Sequence, residues 1–107
     1  MRFDTERQYG QWDELPGYFT GIAVSYYVFM KSAFLHKGFG REENNKRLQH
    51  LKNNYMDYVL ATVGAKNERE QHILIKNGWK LLDTYLNSCS DHTVSLFGRS
   101  LEDFERL

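Results

Sequence analysis

The sequence predicts an α/β domain built on a mixed sheet, with a parallel strand pair at its centre and an antiparallel hairpin on its C-terminal side. Three observations lead there. A nearly continuous apolar run, Tyr58–Val63, lies between two polar stretches with helical spacing. The run is short and does not alternate, as suits a central strand covered on both faces. Two further strand-like segments then follow in close succession, Trp79–Leu86 and Thr93–Gly98, separated only by the polar turn Asn87–Asp91. The order strand, helix, strand, helix, strand, strand makes the first two strands parallel and the last two antiparallel. At 107 residues the chain has the length of a single domain, 1–107, with one core.

Each element has its own signal. Residues 1–17 read as a loose or partly helical lead-in, polar apart from Tyr9 and Trp12, whose rings are expected to pack on the body. Pro16-Gly17 closes it as a turn. Residues 18–34 carry strand composition: Phe19, Ile22, Val24, Tyr26, Tyr27, Val28 and Phe29, then Ala33 and Phe34. Gly21 marks a turn or a bulge, which leaves one bent strand or a hairpin. A glycine-rich loop, His36 to Arg41, leads into a helix over Glu42–Asn54, with Leu48, Leu51 and Tyr55 on one face. Glu42 and Glu43 at its start and Lys52 near its end suit the helix dipole. After Tyr58–Val63, a second helix spans Glu68–Lys76. Asn67 is its N-cap, Ile73 and Leu74 face inward, and Gly78 stands where a left-handed residue ends the helix. The strands Trp79–Leu86 and Thr93–Gly98 and a short tail, Leu101–Leu107, complete the chain.

Composition excludes several classes. With 14 basic and 14 acidic residues, no excess charge drives binding to a phosphate backbone, so nucleic acid is not an expected partner. No apolar run reaches bilayer length, and the charged segment Met1–Arg7 is not a secretory signal. One cysteine, Cys89, cannot staple the chain, and a reducing cytoplasm is the natural setting. Cys89 reads as a half-buried small residue beside a strand, despite His92 nearby. Four scattered histidines show no zinc spacing, and no metal site is expected.

The glycine loop is the first candidate site. Gly38 and Gly40 permit backbone conformations closed to other residues. Their N–H groups, with the start of the following helix, can bind phosphate oxygens, and Lys37 and Arg41 add charge-assisted donors. An ordinary tight turn would look the same. The second candidate is the stretch Asn67 to Trp79. An asparagine follows a strand and opens a helix, and Lys76, Gly78 and Trp79 close that helix and begin the next strand.

Together, in this order and spacing, the two elements resemble the GNAT acyl-CoA N-acyltransferases over roughly two-thirds of the chain. The resemblance assigns residues 35–101 to an acyl-CoA-binding half. It implies a splayed opening between the strand ending near Ala33-Phe34 and Tyr58–Val63, where the pantetheine of acetyl-CoA would lie. The cofactor-side residues would be Phe34, Leu35, Lys37, Gly38, Phe39, Gly40, Arg41 and Asn67. The implied activity is acetyl transfer to an amine on a small molecule or a protein.

Three departures accompany the resemblance. Leu35 stands where the family usually has arginine or glutamine, and Glu43 and Asn44 stand at apolar positions of the following helix. Leu74 replaces the tyrosine that serves many members as general acid. Tyr85 or Tyr58 would be the substitute, both read more readily as core, and Asp83, Glu42 and His36 are candidate bases. Only about thirty residues precede Lys31, fewer than the family uses to build its acceptor site. These departures motivate a second reading, a catalytically degenerate binding or inhibitor protein of phage type. Exposed sheet edges make a homodimer compatible with either.

Overall fold

The computed structural model describes residues 2–3, 11–17, 20–26, 39–89 and 91–107. Its elements are β1 (Arg2–Phe3), β2 (Gln11–Glu14), β3 (Ile22–Tyr26), α1 (Phe39–Asn53), β4 (Tyr58–Gly64), α2 (Glu68–Lys76), β5 (Lys80–Asn87) and β6 (His92–Ser100). The strands form one sheet in the order β1-β2-β3-β4-β6-β5. Only β3 and β4 run parallel, with Ile22 opposite Tyr58 and Ser25 opposite Ala61. The mixed sheet, its parallel centre and its C-terminal hairpin are as the sequence predicts. The parallel partner of β4 is Ile22–Tyr26; the Ala33-Phe34 end proposed for it lies outside the described residues.

The lead-in is corrected. It is neither loose nor helical where it is described: β1 and β2 pair with each other, and β2 pairs with β3. Gln-Trp-Asp-Glu has little strand character of its own. Its conformation comes from pairing to β3 and from one anchor, Trp12, which is fully buried while Asp13 and Glu14 are exposed. The register aligns Trp12, Ser25, Ala61, Phe97 and Leu81 in a row across five strands. The neighbouring row contributes Ala23 and Val59, both fully buried. Onto this side α1 brings Leu48 and Leu51 and α2 brings Leu74, and with Met56, Trp79 and Leu101 they form one cluster. The other side of β4 is less covered than a strand buried on both faces would be: Tyr58 and Leu60 are half-buried and Thr62 is exposed.

The two helices of the described residues end in the same way, and one end differs from expectation. At α2 the Trp79 N–H reaches the Leu74 carbonyl (3.0 Å) and the Gly78 N–H reaches that of Ile75 (3.2 Å), with Gly78 left-handed at φ 87°. This is the Schellman arrangement that a glycine favours. At α1 the Met56 and Tyr55 N–H groups make the equivalent bonds to Leu51 (3.0 Å) and Lys52 (3.1 Å), and the left-handed residue is Tyr55, at φ 67°. Tyr55 therefore leaves the helix and is exposed, its ring under the Arg106 guanidinium at 4.0 Å. Met56, three residues past the helix by this turn, takes the buried place expected of Tyr55.

The start of α1 is also corrected. Phe39, Gly40 and Arg41 belong to its first turn and not to a loop. Glycine disfavours a helix by only about 1 kcal/mol, which packing further along readily offsets. At the hairpin, the register between β5 and β6 shifts between Leu81 and Asp83, a bulge at Leu82. Cys89 sits in the connecting turn and is exposed, not half-buried, because that turn extends beyond the covered part of the sheet. The C-terminal tail folds back: Leu101 is fully buried and Phe104 packs on the core, with Arg99 held by Asn77 O (2.8 Å) and by both oxygens of Asp103 (2.8 and 2.9 Å). Among the described residues, no helix is long and apolar enough to cross a membrane.

Candidate functional site

Among the described residues, the parallel pairing of β3 with β4 ends at Ser25 and Ala61, yet β4 continues through Thr62, Val63 and Gly64. Those three residues remain bound on their other side to β6, opposite Leu96, Ser95 and Val94. Their β3-side edge borders a cleft of about 330 Å³. The cleft is lined by Ala61–Gly64 of β4, by Asn67, Glu70 and Leu74 at α2, by Ser25 and Arg47, and by Trp79. A strand edge offers backbone donors and acceptors to an extended ligand. At Gly64 a side chain would meet nothing within 4 Å, so the space beside that backbone is open.

Local structure holds the far end of β4 firmly. The Gln71 amide donates to the carbonyls of Gly64 (3.1 Å) and Ala65 (3.0 Å), and the Ala65 N–H donates to Thr93 O (3.0 Å). Asn67 starts α2 as predicted: its Oδ1 accepts the Glu70 N–H at 3.2 Å. The same residue lines the cleft, so its amide NH₂ remains as a donor on a residue whose oxygen caps the helix.

Some of the polar groups of the lining are buried and others, Thr62 and Asn67, are exposed. Arg47 and Ser25 are both more than nine-tenths buried, and the Arg47 Nη2 hydrogen-bonds Ser25 Oγ. Trp79 is 3% exposed, and its indole nitrogen is a buried donor with no hydrogen-bond partner among the described residues. The lining therefore offers a guanidinium, an indole N–H and an amide as donors. Its one carboxylate is Glu70.

The expected site residues fare differently. Asn67 is in the cleft lining. Phe39, Gly40 and Arg41 are in the first turn of α1, the helix whose Arg47 reaches the cleft. Phe34, Leu35, His36, Lys37 and Gly38 lie outside the described residues. Glu42 lies in α1. Tyr85 and Asp83 lie on β5, separated from β4 by β6, and neither lines the cleft. Two strand spacings amount to roughly 10 Å. Tyr85 is 40% exposed, so it is not the core residue the sequence favoured, and Asp83 accepts the Thr84 N–H at 2.8 Å. Tyr58 is half-buried beside Gly98. Leu74, 7% exposed, contributes to both core and cleft.

Ser25, Arg47 and Glu70 were not anticipated. Arg47 had a readable signal: Asn44, Arg47, Leu48 and Leu51 follow i, i+3, i+4, i+7 spacing, and all four are buried. The buried stripe of α1 therefore includes two polar residues, and Arg47 is the one at the cleft.

Comparison with solved structures places the fold. A GNAT family acetyltransferase from Elizabethkingia anophelis, solved with acetyl-CoA bound, superposes with a TM-score of 0.72 at 14% identity, covering 87% of this chain and 69% of that one. The fold is the GNAT acetyltransferase fold. A chimeric spermidine N-acetyltransferase from Vibrio cholerae gives 0.70 at 13% identity over 92% of this chain and 64% of its own. A GNAT family acetyltransferase from Streptococcus pneumoniae gives 0.69 at 13% identity over 83% and 56%. The chain thus spans about three-fifths of the length of these last two structures. No protein-family model and no curated protein matches the sequence.

Proposed function

We propose that this chain is an acetyl-CoA-dependent N-acetyltransferase that acylates an amine. The observation that carries the reading is the cleft where β3 and β4 part, in a fold whose neighbour from Elizabethkingia anophelis holds acetyl-CoA. Acetyl-CoA, when bound, supplies an acyl group activated as a thioester. The β4 segment Thr62–Gly64 offers a strand edge for the amides of a pantetheine arm. Arg47, Trp79 Nε1–H and the Asn67 amide are donors in the lining. Phe39, Gly40 and Arg41, at the start of α1, would meet the pyrophosphate, with Phe34, Leu35, Lys37 and Gly38 preceding them in the chain. Buried donors such as Arg47 and Trp79 would stabilise a developing oxyanion at little reorganisation cost. Proton removal from the amine falls to Glu70 or to a water it holds.

The binding-protein alternative has its own support. Leu74 is buried where many members carry a proton-donating tyrosine, and the two fallback groups, Tyr85 and Asp83, are on a remote strand. Isothermal titration with acetyl-CoA separates the two. Saturable binding in the wild type, weakened at least about tenfold by Gly64→Trp, which fills the open space beside β4, supports the acyl-CoA site. Absence of binding at millimolar acetyl-CoA refutes it and favours the binding protein. Thiol release in the presence of a panel of amines then tests transfer itself.

A further inference from the structure

The cleft has two unlike ends, and the strand register tells them apart. Gly64 and Asn67 lie at one, beyond the parting of β3 and β4. Trp79 lies at the other. It directly precedes Lys80, which pairs with Gly98, and Gly98 pairs with Leu60, so Trp79 enters the cleft from the Leu60 side of Ala61. From Leu60 to Gly64 is about 13 Å along the strand. The direction in which a ligand would lie follows from α1. Its Arg47 meets Ser25, at the level of Ala61, and its last turn leads to Met56, just before β4 begins. The helix therefore runs antiparallel to β4. At 1.5 Å per residue, Phe39–Arg41 in its first turn are roughly 9–12 Å further toward the Gly64 end than Arg47.

At the inner end one polar atom is not accounted for by the fold. The Trp79 ring belongs to the core cluster and is 3% exposed, yet its Nε1 has no hydrogen-bond partner among the described residues. A buried indole usually finds an acceptor for its N–H. Phenylalanine would fill a core position with the same kind of ring and leave no donor to satisfy. The other donors of the lining are placed differently. Arg47 hydrogen-bonds Ser25 Oγ, and Asn67 is exposed at the far end. Glu70, the carboxylate of the lining, is in the first turn of α2, at the Asn67 end, and does not accept the indole N–H. Ala61 and Leu74, which line the cleft with Trp79, have no polar side-chain atom to offer it. The inner end thus presents a donor and calls for a pure acceptor. A carbonyl oxygen is such a group.

We infer that the Trp79 indole N–H takes the carbonyl oxygen of the acyl group, fixing the thioester at the inner end of the cleft. An acyl-CoA with its pyrophosphate at Phe39–Arg41 and its arm along Thr62–Gly64 points its acyl end inward, toward Ala61, Leu74 and Trp79. The inference rests on the acyl-CoA reading and adds to it the residue that recognises the acyl carbonyl.

The test compares two ligands that differ in that oxygen, acetyl-CoA and its thioether counterpart S-ethyl-CoA, on the full chain. By isothermal titration the wild type should bind acetyl-CoA about fivefold more tightly, the effect of one hydrogen bond. Trp79→Phe keeps a ring in the core and lacks the donor, so it should bind the two ligands within about twofold of each other. The chain has two tryptophans, Trp12 and Trp79, and the nitrogen-resolved indole proton signal of Trp79 gives a second measurement that needs no variant. It should move further downfield with acetyl-CoA than with S-ethyl-CoA, and it decides the matter if Trp79→Phe does not fold. Equal affinities in the wild type, a preference that survives in folded Trp79→Phe, or an indole signal that responds alike to both ligands overturns the inference and leaves the acyl-CoA site standing. If neither ligand binds at millimolar concentration, the acyl-CoA reading falls and this inference with it.

Discussion

Asn67 has two duties that substitution can separate. Its Oδ1 accepts the Glu70 N–H at 3.2 Å, satisfying one of the four unpaired donors at the start of α2, and its side chain also borders the cleft. Asn67→Ala removes both functions. Losing an N-cap costs about 1 kcal/mol, which for a domain of this size lowers the melting temperature by about 5 °C. Asn67→Asp keeps the capping oxygen. It adds a negative charge at a helix start, favourable to the dipole, but Glu68 and Glu70 are already in that turn, and the two effects oppose one another. Its stability should therefore stay within about 0.5 kcal/mol of wild type. What Asp lacks is the amide donor. A hydrogen bond to a ligand is worth about 1 kcal/mol, so acetyl-CoA affinity should fall by about fivefold. Urea unfolding and isothermal titration on the three proteins give both numbers. An Ala variant as stable as wild type refutes the capping argument. An Asp variant that binds acetyl-CoA as tightly as wild type refutes the role of the amide in the cleft.

Two further outcomes follow from the fold. Trp12→Ala should cost about 3–5 kcal/mol in urea unfolding, because it empties a fully buried position at which β2 is anchored to the sheet; a cost below about 1 kcal/mol would return the lead-in to the periphery. Asp103 is held below the usual carboxylate range, chiefly by its hydrogen bonds from Arg99. A lowered folded-state value means that its contribution is present above the ordinary aspartate pKa of about 3.9 and is lost as pH falls through the lowered value. The urea midpoints of wild type and Asp103→Asn should thus differ at pH 6 and converge as pH falls through the lowered value. The difference should stay under about 1 kcal/mol, since the carboxylate is 57% exposed and solvent screens the pair.

What could be read from the sequence was whatever carries its own local signal. The second helix announced both its ends, through Asn67 and Gly78, and β4 announced itself as an apolar run between two helices. The parts that escaped depend on partners distant in sequence. Gln11–Glu14 becomes a strand because β3 is there to pair with and because Trp12 has a core to enter, not because of any alternation in Gln-Trp-Asp-Glu. Tyr55 looked like the next step of the Leu48–Leu51 face, but the chain turns left-handed at Tyr55 and delivers Met56 instead. Within the candidate site, Asn67 was legible as a cap that also fits a family motif. Ser25 was not, and Arg47 was legible only as a polar member of the α1 stripe, because its place depends on Ser25, 22 residues earlier in the chain, at the end of a strand beside it. Tyr85 was misjudged for the same reason: its composition suits a core, and only the strand order reveals that β5 is an edge.

The parting of β3 and β4 also bears on the order in which the molecule assembles. Asn87 and His92 meet across a turn of four residues, so the hairpin of β5 and β6 can close early and on its own. Ile22 and Tyr58 must find each other across the whole intervening chain, α1 included, before a single parallel bond is made. Closure of so long a loop is slow, and contacts of this kind dominate the folding time of small domains. The cleft is thus bounded by the seam that forms late and, in native-state hydrogen exchange, should open more readily than the hairpin beside it. A ligand bridging that seam would tighten the part of the fold with least local support, and its grip would be read out as slower exchange at Ser25 and Ala61 before any change at Phe97.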